Sequence, residues 1–479
     1  MGSTRLDVGA LARLGLIALA ILACRDSRAP TPAPVSQQAG EDAGARSVAN
    51  RSRDDWYGLY LGDKKVGFAH FTVGRDGAVI RTRVDAVIRT KGVAADQLRI
   101  VETKVFDGKP PFGLREVVIE EHSDDGKSVG KAVRDGGELV SGDRRVRSGE
   151  TLESELIESV AAIEGWQKGR EARAPQFDLE VFRDRIARVQ VVEARTGRAM
   201  GVQTEQVVVD FWAEGESSAL RSVYDRSGRL LRGANGDFRF RLEDSRTAQS
   251  EIEGFDIIDD AIAVKRKLGD PSRRAELKLV VAVRDGFRIP RSDNQQVEAR
   301  PDGRFLVTRK RSPGSALPKD LEPWLQPTER FDFRHPKVAQ LATELGASRL
   351  DPRAYATTVV TWVYGNLDKD LSTNLARASD VVAKRVGDCT EHSQLTIALM
   401  RAGGLPAREV SGLIYMGDDV QRFGFHSWVE VGLAGRWVPV DPSWNQMLAD
   451  PSHLKLGVGE SAEWLGTMAS LRIEVPAPD

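Results

Sequence analysis

Apolar and charged residues alternate over long stretches in the first part of this chain. Between Ile80 and Arg89, apolar residues or threonine stand at every second position, and arginine or aspartate fills most positions between them. A period of two is typical of a strand that buries one face and exposes the other. Asp-Gly pairs, which suit tight hairpin turns, recur at residues 76–77, 107–108, 125–126 and 135–136. The pattern predicts an antiparallel β-rich region over residues 55–270, followed by a β-rich connecting segment over residues 271–330.

Helical spacing replaces this alternation in the last third of the chain. Val338, Leu341 and Leu345 fall on one face of a helix, and Asp351-Pro352 supplies the N-cap residue and first-turn proline of a second helix. Alternation returns near residue 425. The predicted fold class is therefore multidomain α+β, with an α+β domain over residues 331–479 after the β-rich antiparallel region.

The charge balance excludes one large class of proteins. Lys and Arg number 69 against 70 Asp and Glu, and no basic run stands out. A nucleic-acid binder usually carries a basic patch, so a nucleic-acid partner is not expected. Hydrophobic residues at 41% also argue against a largely disordered chain or a polytopic membrane protein.

The first residues read as an export signal. The apolar run 14–23 follows Arg5 and Arg13 and is too short to span a bilayer core of about 30 Å as a helix. Ile21-Leu22-Ala23-Cys24 resembles a bacterial lipobox, which predicts a signal peptide over residues 1–23 and lipidation of Cys24. Residues 24–54, rich in Pro, Ala, Ser and Gln, then form a tether. We expect an extracytoplasmic lipoprotein, anchored to a membrane in the periplasm or at the cell surface; an ordinary cleaved signal peptide is the alternative.

The second and last cysteine lies at a predicted helix start. Asp388-Cys389-Thr390-Glu391 has the spacing of a capping box, with Asp388 as N-cap and Glu391 as the third helical residue. A helix N-terminus favours a thiolate, whereas the two neighbouring carboxylates oppose it, so a reactive Cys389 needs a cationic partner. His392, one turn further on, is expected to support the helix start by hydrogen bonding.

A predicted hairpin offers that partner. Residues 425–431 and 436–441 alternate on either side of Ala434-Gly435. With a two-residue loop, Trp428 faces Asp441, and His426 lies diagonal to Asp441 on the same face at about 7 to 8 Å between backbones. An odd loop would turn Asp441 to the opposite face.

Four motifs in this order resemble the bacterial transglutaminase-like superfamily, over roughly the last 150 residues of the chain. They are Gly387-Asp388-Cys389-Thr390-Glu391-His392, Arg401-Ala402-Gly403-Gly404-Leu405-Pro406-Ala407-Arg408, His426-Ser427-Trp428-Val429-Glu430-Val431 and Trp437-Val438-Pro439-Val440-Asp441-Pro442-Ser443. The resemblance implies a papain-like α+β catalytic domain. It also implies a thiol peptidase, amidase or transglutaminase that acts on a protein or peptide amide through a thioester.

The resemblance also assigns roles to single residues. Cys389 would be the nucleophile, His426 the general base and acid, and Asp441 the residue that orients His426. The backbone N–H of Cys389 would be one oxyanion donor, with Trp362 and Asn374 as candidates for the second. Asp388, Glu391 and His392 would support the site. The mechanism implies no metal or other cofactor; some relatives use calcium, but an EF-hand-like loop is not found in the sequence.

Other interpretations stay open at this point. Cys389 could be a buried structural thiol, or it could bind zinc with His392, His426 and His453, although that spacing is not a strong zinc motif. The acceptor of the acyl group, water or an amine, is undecided. The chain could also be a non-catalytic binding or assembly module that keeps the fold and uses its β-rich region to hold a cell-envelope partner.

Overall fold

In a computed structural model, the chain forms two compact units, one from residues 52–89 and 97–255, the other mainly from residues 256 onward. The predicted signal peptide, Cys24, most of the tether and Asn374 lie outside the described residues. Among the residues described, no helix is long and apolar enough to cross a membrane. The described residues are 52–91, 97–123, 126–142, 144–164, 168–179, 182–212, 219–256, 261–284, 286–328, 330–370, 377–459, 467 and 470–476.

The first unit is built on one long antiparallel sheet in the strand order β8-β7-β6-β5-β4-β3-β2-β1-β14-β13-β12-β11-β10-β9. Its strands are β1 (Arg53–Leu61), β2 (Lys64–Asp76), β3 (Val79–Lys91), β4 (Gln97–Asp107), β5 (Leu114–Ser123), β6 (Gly126–Asp135), β7 (Glu138–Ser141), β8 (Arg144–Val146), β9 (Glu171–Asp178), β10 (Arg183–Ala199), β11 (Val202–Trp212), β12 (Leu220–Asp225), β13 (Leu230–Asn235) and β14 (Phe238–Glu243). A strand of two residues, β15 (Phe255–Asp256), follows. The period-two pattern of the sequence is present in β3, where Ile80, Val84 and Ile88 are buried and Arg81 and Arg89 are exposed.

Three short helices accompany this sheet: α1 (Leu152–Glu155), α2 (Ile157–Glu164) and α3 (Ser245–Gln249). Leu152, Leu156 and Val160 pack into a core with Phe106 and Phe177 of the strands. Leu152, Leu156, Val160 and Ile163 have the spacing of a single helix, but the structure has two helices, because Leu156 leaves helical geometry as the C-cap of α1. The segment nevertheless buries Leu152, Leu156 and Val160.

One buried acid of this unit gives the first prediction. Glu158 is 2% exposed and accepts a hydrogen bond from the hydroxyl of Tyr224 at 3.1 Å. Burial raises the pKa of Glu158 to about 7, although hydrogen bonds from Ser222 and Tyr224 act in the opposite direction. In the unfolded chain the carboxyl ionises first, so its contribution lowers the free energy of unfolding as the pH rises from its ordinary pKa to about 7. Glu158→Gln is therefore expected to stabilise the protein by about 3 kcal/mol at pH 8 and to have little effect at pH 4.

Denaturant titrations of both proteins at pH 4 and pH 8 check this expectation. Glu205→Gln, at an exposed position of β11, is the matched control and should change stability equally little at both pH values. An unchanged stability difference between wild type and Glu158→Gln across this range would contradict the raised pKa.

The second unit combines helices with three small groups of strands. Its helices are α4 (Pro336–Glu344), α5 (Pro352–Asn366), α6 (Ala378–Lys384) and α7 (Cys389–Ala402), and short 3-10 helices cover Pro271–Arg273 and Glu322–Trp324. Its strands are β16 (Ile262–Ala263), β17 (Glu276–Ala282), β18 (Gln295–Ala299), β19 (Phe305–Lys310), β20 (Asp368–Lys369), β21 (Val386–Gly387), β22 (Ala407–Tyr415), β23 (Arg422–Leu433), β24 (Arg436–Val440), β25 (Leu454–Val458) and β26 (Arg472–Glu474). The predicted fold class, an antiparallel β-rich region followed by an α+β domain, is confirmed.

The central helix α7 joins the helices of this unit to its sheet. The sheet has the order β16-β23-β22-β25, with β24 paired to the other side of β23. Leu395 and Leu399 of α7 lie in one core with Val429 and Val431 of β23 and with apolar residues of α4, α5 and α6. Every residue of α7 from Cys389 to Arg401 is buried. The packing of α7 on β23 therefore brings the helix that begins with Cys389 and the strand of His426 into one core.

Candidate active site

The start of α7 has the capping box that the Asp-x-x-Glu spacing predicts. Asp388 Oδ1 accepts from the backbone N–H of Thr390 at 2.7 Å, and Glu391 Oε2 accepts from the N–H of Asp388 at 2.9 Å. Both carboxylates thus engage backbone donors. Gly387 permits this close packing, since a Cβ atom there would lie 2.2 Å from Cβ of Glu391. Cys389 follows as the first helical residue, a thiol that is not in a disulfide and has 8% of its surface exposed.

The hairpin of β23 and β24 has the predicted register. Val429 pairs with Val440, and the two-residue loop Ala434-Gly435 has φ values of 50° and 76°. Positive φ at both loop residues is the geometry of a type I′ turn, which matches the twist of the two strands. Because the loop has an even length, Asp441 at the end of β24 lies on the face of His426.

The structure brings His426 and Asp441 into direct contact. Nε2 of His426 lies 2.8 Å from Oδ2 of Asp441, and both side chains are buried. Burial alone would raise the pKa of Asp441, but attraction and hydrogen bonds from His426 and His453 hold it well below its ordinary value. An ionised carboxylate only accepts, so Nε2 of His426 donates to it. Nδ1 is then the ring nitrogen of His426 that can exchange a proton with another group.

Asp441 is itself held by five donors. Oδ1 accepts from the backbone N–H and the hydroxyl of Ser443, at 2.8 and 2.7 Å, and from the N–H of Trp444 at 3.2 Å. Oδ2 accepts from His426 and from Nε2 of His453, the latter at 2.9 Å. This arrangement fixes the carboxylate in position and in its ionised form.

His453 is the residue that the sequence reasoning missed in this role. It precedes β25, is fully buried and shares Oδ2 of Asp441 with His426. Burial alone would lower its pKa, but hydrogen bonds to Asp441 and Asp450 raise it to about 9. The sequence offers His453 only as a possible zinc ligand, and nothing in its spacing indicates a contact with Asp441.

The described residues do not support the zinc set suggested by the sequence. Among them, the one group of three possible metal ligands joins His426, Asp441 and His453, with donor atoms within 4.8 Å of one another, and includes neither Cys389 nor His392. Nε2 of each of the two histidines already faces the carboxylate as a hydrogen-bond donor. The group is therefore a hydrogen-bond network in this structure.

His392 supports the helix start. It is fully buried, and its Nδ1 lies 2.6 Å from the carbonyl oxygen of Asp388, to which it must donate. Burial lowers the pKa of His392 to about 4, against the effect of that hydrogen bond. The ring is therefore neutral at physiological pH.

Comparison with known families matches one segment of the chain. Residues 339–442, which include Cys389, His426 and Asp441, match the model of the transglutaminase-like superfamily. The chain contains a transglutaminase-like domain. No curated protein matches the chain.

Solved structures resemble parts of the chain only weakly. A candidate cysteine protease from Cytophaga hutchinsonii is 19% identical with a TM-score of 0.29, covering 41% of this chain and 83% of its own. A protein of a domain family of unknown function from Brucella abortus is 13% identical with a TM-score of 0.29, covering 40% and 98%. A candidate protease from Parabacteroides distasonis is 10% identical with a TM-score of 0.21, covering 76% and 69%.

Of the two candidates for a second oxyanion donor in the transglutaminase-like domain, one lies among the described residues. Trp362 of α5 is partly buried, packs against the helical core and stacks under the guanidinium of Arg385, which lies 4.4 Å from its ring centroid. Asn374 lies outside the described residues. The role of either residue as an oxyanion donor stays a prediction.

An aromatic surface adjoins Asp441 in the transglutaminase-like domain. Trp444, whose N–H contacts Asp441, is 39% exposed, and Tyr364 of α5 is 45% exposed. Nζ of Lys369 lies 5.9 Å from each of the two ring centroids.

Proposed function

We propose that this protein is a thiol enzyme that transfers the acyl group of a protein or peptide amide through a thioester. Cys389 is the nucleophile, His426 the general base and acid, and Asp441 the orienting carboxylate. The observation that carries the proposal is the hydrogen bond from Nε2 of His426 to Asp441, because it leaves Nδ1 of His426 to exchange a proton. His426 lies on β23, the strand on which α7 packs.

The reaction has two halves. Nδ1 of His426 takes the proton of the Cys389 thiol, the thiolate Sγ then bonds to the amide carbon, and the same proton passes to the leaving amine as the C–N bond breaks. Water or a second amine then attacks the thioester and gives its proton to Nδ1, which returns it to sulfur as the C–S bond breaks. Since Asp441 stays ionised, it stabilises the imidazolium in both halves. The backbone N–H of Cys389, at the first helical position of α7, would donate to the developing oxyanion.

We further propose, on the sequence pattern of residues 1–54, that the enzyme is a lipoprotein held outside the cytoplasm through Cys24. A tether of this composition would let the folded units work at some distance from the membrane surface. Radiolabelled palmitate incorporation into wild type, compared with Cys24→Ser, tests the anchor separately from the chemistry.

The reactivity of Cys389 tests the proposed chemistry. In the full chain carrying Cys24→Ser, every thiol signal comes from Cys389, since the sequence has two cysteines. Its alkylation by the neutral reagent iodoacetamide should remain fast well below pH 7. His426→Ala removes the cation that stabilises the thiolate, so the rate at pH 6 is expected to fall about 100-fold and to recover only near pH 8.5.

His122→Ala is the matched control for this experiment. His122 lies on β5 of the other unit and contacts Glu120 at 3.4 Å, so its loss should leave the alkylation profile unchanged. Profiles that rise only near pH 8.5 in both wild type and His426→Ala would refute the proposal and favour the non-catalytic binding module. Incubation of wild type with a peptide-amide library, with and without a primary amine, then distinguishes hydrolysis from transamidation.

A further inference from the structure

Two imidazoles share one carboxylate oxygen in the transglutaminase-like domain. Oδ2 of Asp441 lies 2.8 Å from Nε2 of His426 and 2.9 Å from Nε2 of His453. The two ring centroids are 5.6 Å apart and the rings are tilted by 60°. A charge on His453 is therefore close enough to act on His426.

The partners of His453 determine its protonation. Its Nε2 faces the ionised carboxylate of Asp441, and its Nδ1 lies 3.0 Å from the carbonyl oxygen and 3.4 Å from Oδ1 of Asp450. All of these oxygens accept hydrogen bonds, so both ring nitrogens must carry hydrogens. The ring is then an imidazolium, which agrees with the pKa of about 9.

Asp450 is held in place as firmly as Asp441. Its Oδ1 accepts from the N–H and hydroxyl of Ser452, at 2.8 and 2.6 Å, and its Oδ2 accepts from Gln446 at 2.8 Å. Burial alone would raise the pKa of Asp450, but hydrogen bonds and attraction from His453 lower it. The result is a buried series of alternating charges from Asp450 through His453 to Asp441, with His426 at its end.

Three further side chains lie near this series, and none of them is a cation in contact with Asp441. Trp428 of β23 packs edge-on against His453 at 5.2 Å between ring centroids and does not titrate. Arg309 of β19 acts on Asp450 at longer range, and His392 of α7 is neutral beside Asp441 and His426. Among the described residues, His453 is therefore the cation that shares Asp441 with His426.

We propose that His453 is a positioning residue that acts on His426 through Asp441. Its hydrogen bond holds Oδ2 in the direction of His426, and its positive charge offsets part of the negative charge that would otherwise retain the proton on His426. The imidazolium of His426 then gives up its proton to the leaving amine more readily than beside an unshared carboxylate. This inference rests on the proposed function, and it extends the acid–base unit beyond residue 442, where the family match ends.

The test is the alkylation profile of Cys389 in His453→Gln, in the full chain with Cys24→Ser. The glutamine amide can still donate to Asp441 but carries no charge. Both midpoints of the rate profile, the lower one at which the Cys389 thiolate forms and the upper one at which His426 loses its proton, are therefore expected to move to higher pH by about one to two units. His70→Gln is the matched control: its Nε2 also contacts an aspartate, Asp54, at 2.7 Å, and its removal should move neither midpoint. Midpoints equal to those of wild type in His453→Gln would overturn the inference.

The outcomes separate this inference from the proposed function. If wild type and His426→Ala have the same profile, the proposed chemistry fails whatever His453→Gln does. If they differ while His453→Gln matches wild type, only the role of His453 fails.

If His453→Gln does not fold, the protonation of the His453 ring in the wild-type protein can be measured directly. Ring ¹⁵N NMR of the six histidines, assigned by replacing the other five in turn, reports the protonation of each nitrogen. At pH 8 both nitrogens of His453 are expected to be protonated. A single protonated nitrogen on His453 at that pH would overturn the inference.

Discussion

Replacing Asp441 with asparagine is expected to lower amide turnover about 10³- to 10⁴-fold, the effect of losing an orienting carboxylate in a triad. Asparagine orients the histidine in some thiol enzymes, but it cannot do so here. Asp441 accepts from donors on both oxygens, His426 and His453 on Oδ2 and Ser443 and Trp444 on Oδ1. The amide has one accepting oxygen, so its NH₂ group must face donors on one side or the other.

Turnover of the best library amide, with wild type and Asp441→Asn compared at equal fractions of folded protein, measures this effect. Asp351→Asn is the matched control, since Asp351 caps α5 through one accepting oxygen, a role that asparagine also fills. A loss below about tenfold in Asp441→Asn would show that the carboxylate does not orient the base.

Replacing Glu430 with glutamine is expected to destabilise the protein by about 3 to 5 kcal/mol, because it leaves the buried ammonium of Lys455 and the partly buried guanidinium of Arg408 without their anion. Glu430 is 1% exposed on β23; it accepts from Nε and Nη2 of Arg408 at 2.9 and 2.7 Å and from Nζ of Lys455 at 2.7 Å. Burial alone would raise the pKa of Glu430, but Lys455 and Arg408 hold it at about 2. The stabilisation is thus present above the ordinary glutamate pKa and is lost as the pH falls toward 2.

Chemical denaturation at pH 7 and pH 3 measures this loss, with the difference between wild type and Glu430→Gln expected to shrink at the lower pH. Glu298→Gln, at an exposed position of β18, is the control and should alter stability by less than about 0.5 kcal/mol. A destabilisation below about 1 kcal/mol at pH 7 would mean that Arg408 and Lys455 find other partners or water when Glu430 is gone.

The parts of the site that could be predicted depend on local rules. The N-cap of α7 follows from the Asp388-x-x-Glu391 spacing, and the register of β23 and β24 follows from one two-residue loop. A period of two then decides which face His426 and Asp441 share. Each of these inferences spans a helix start or a single hairpin, where neighbouring residues determine the geometry.

The contact of His453 with Asp441 could not be predicted from such local rules. It is separated from Asp441 by turns at residues 442–453 that carry no regular period, and its approach to Oδ2 depends on how β25 pairs with β22. The same limit applies to the first unit. Its strands and Asp-Gly turns are visible in the sequence, whereas the pairing of β1 with β14 is a contact between residues far apart in the chain.

The place of β1 in its sheet has a consequence for how the protein is made. β1 pairs with β2 through the hairpin that follows it, and along its other edge with β14, at residues 238–243. During synthesis, β2 to β8 can pair in succession, but the second edge of β1 waits until β14 has left the ribosome. Exposed strand edges invite pairing with other chains, and contacts of long sequence separation form slowly. β1, the first of the described strands, thus keeps one edge unpaired until residues 238–243 have been made, and this interval ends before the domain of Cys389 has been synthesised.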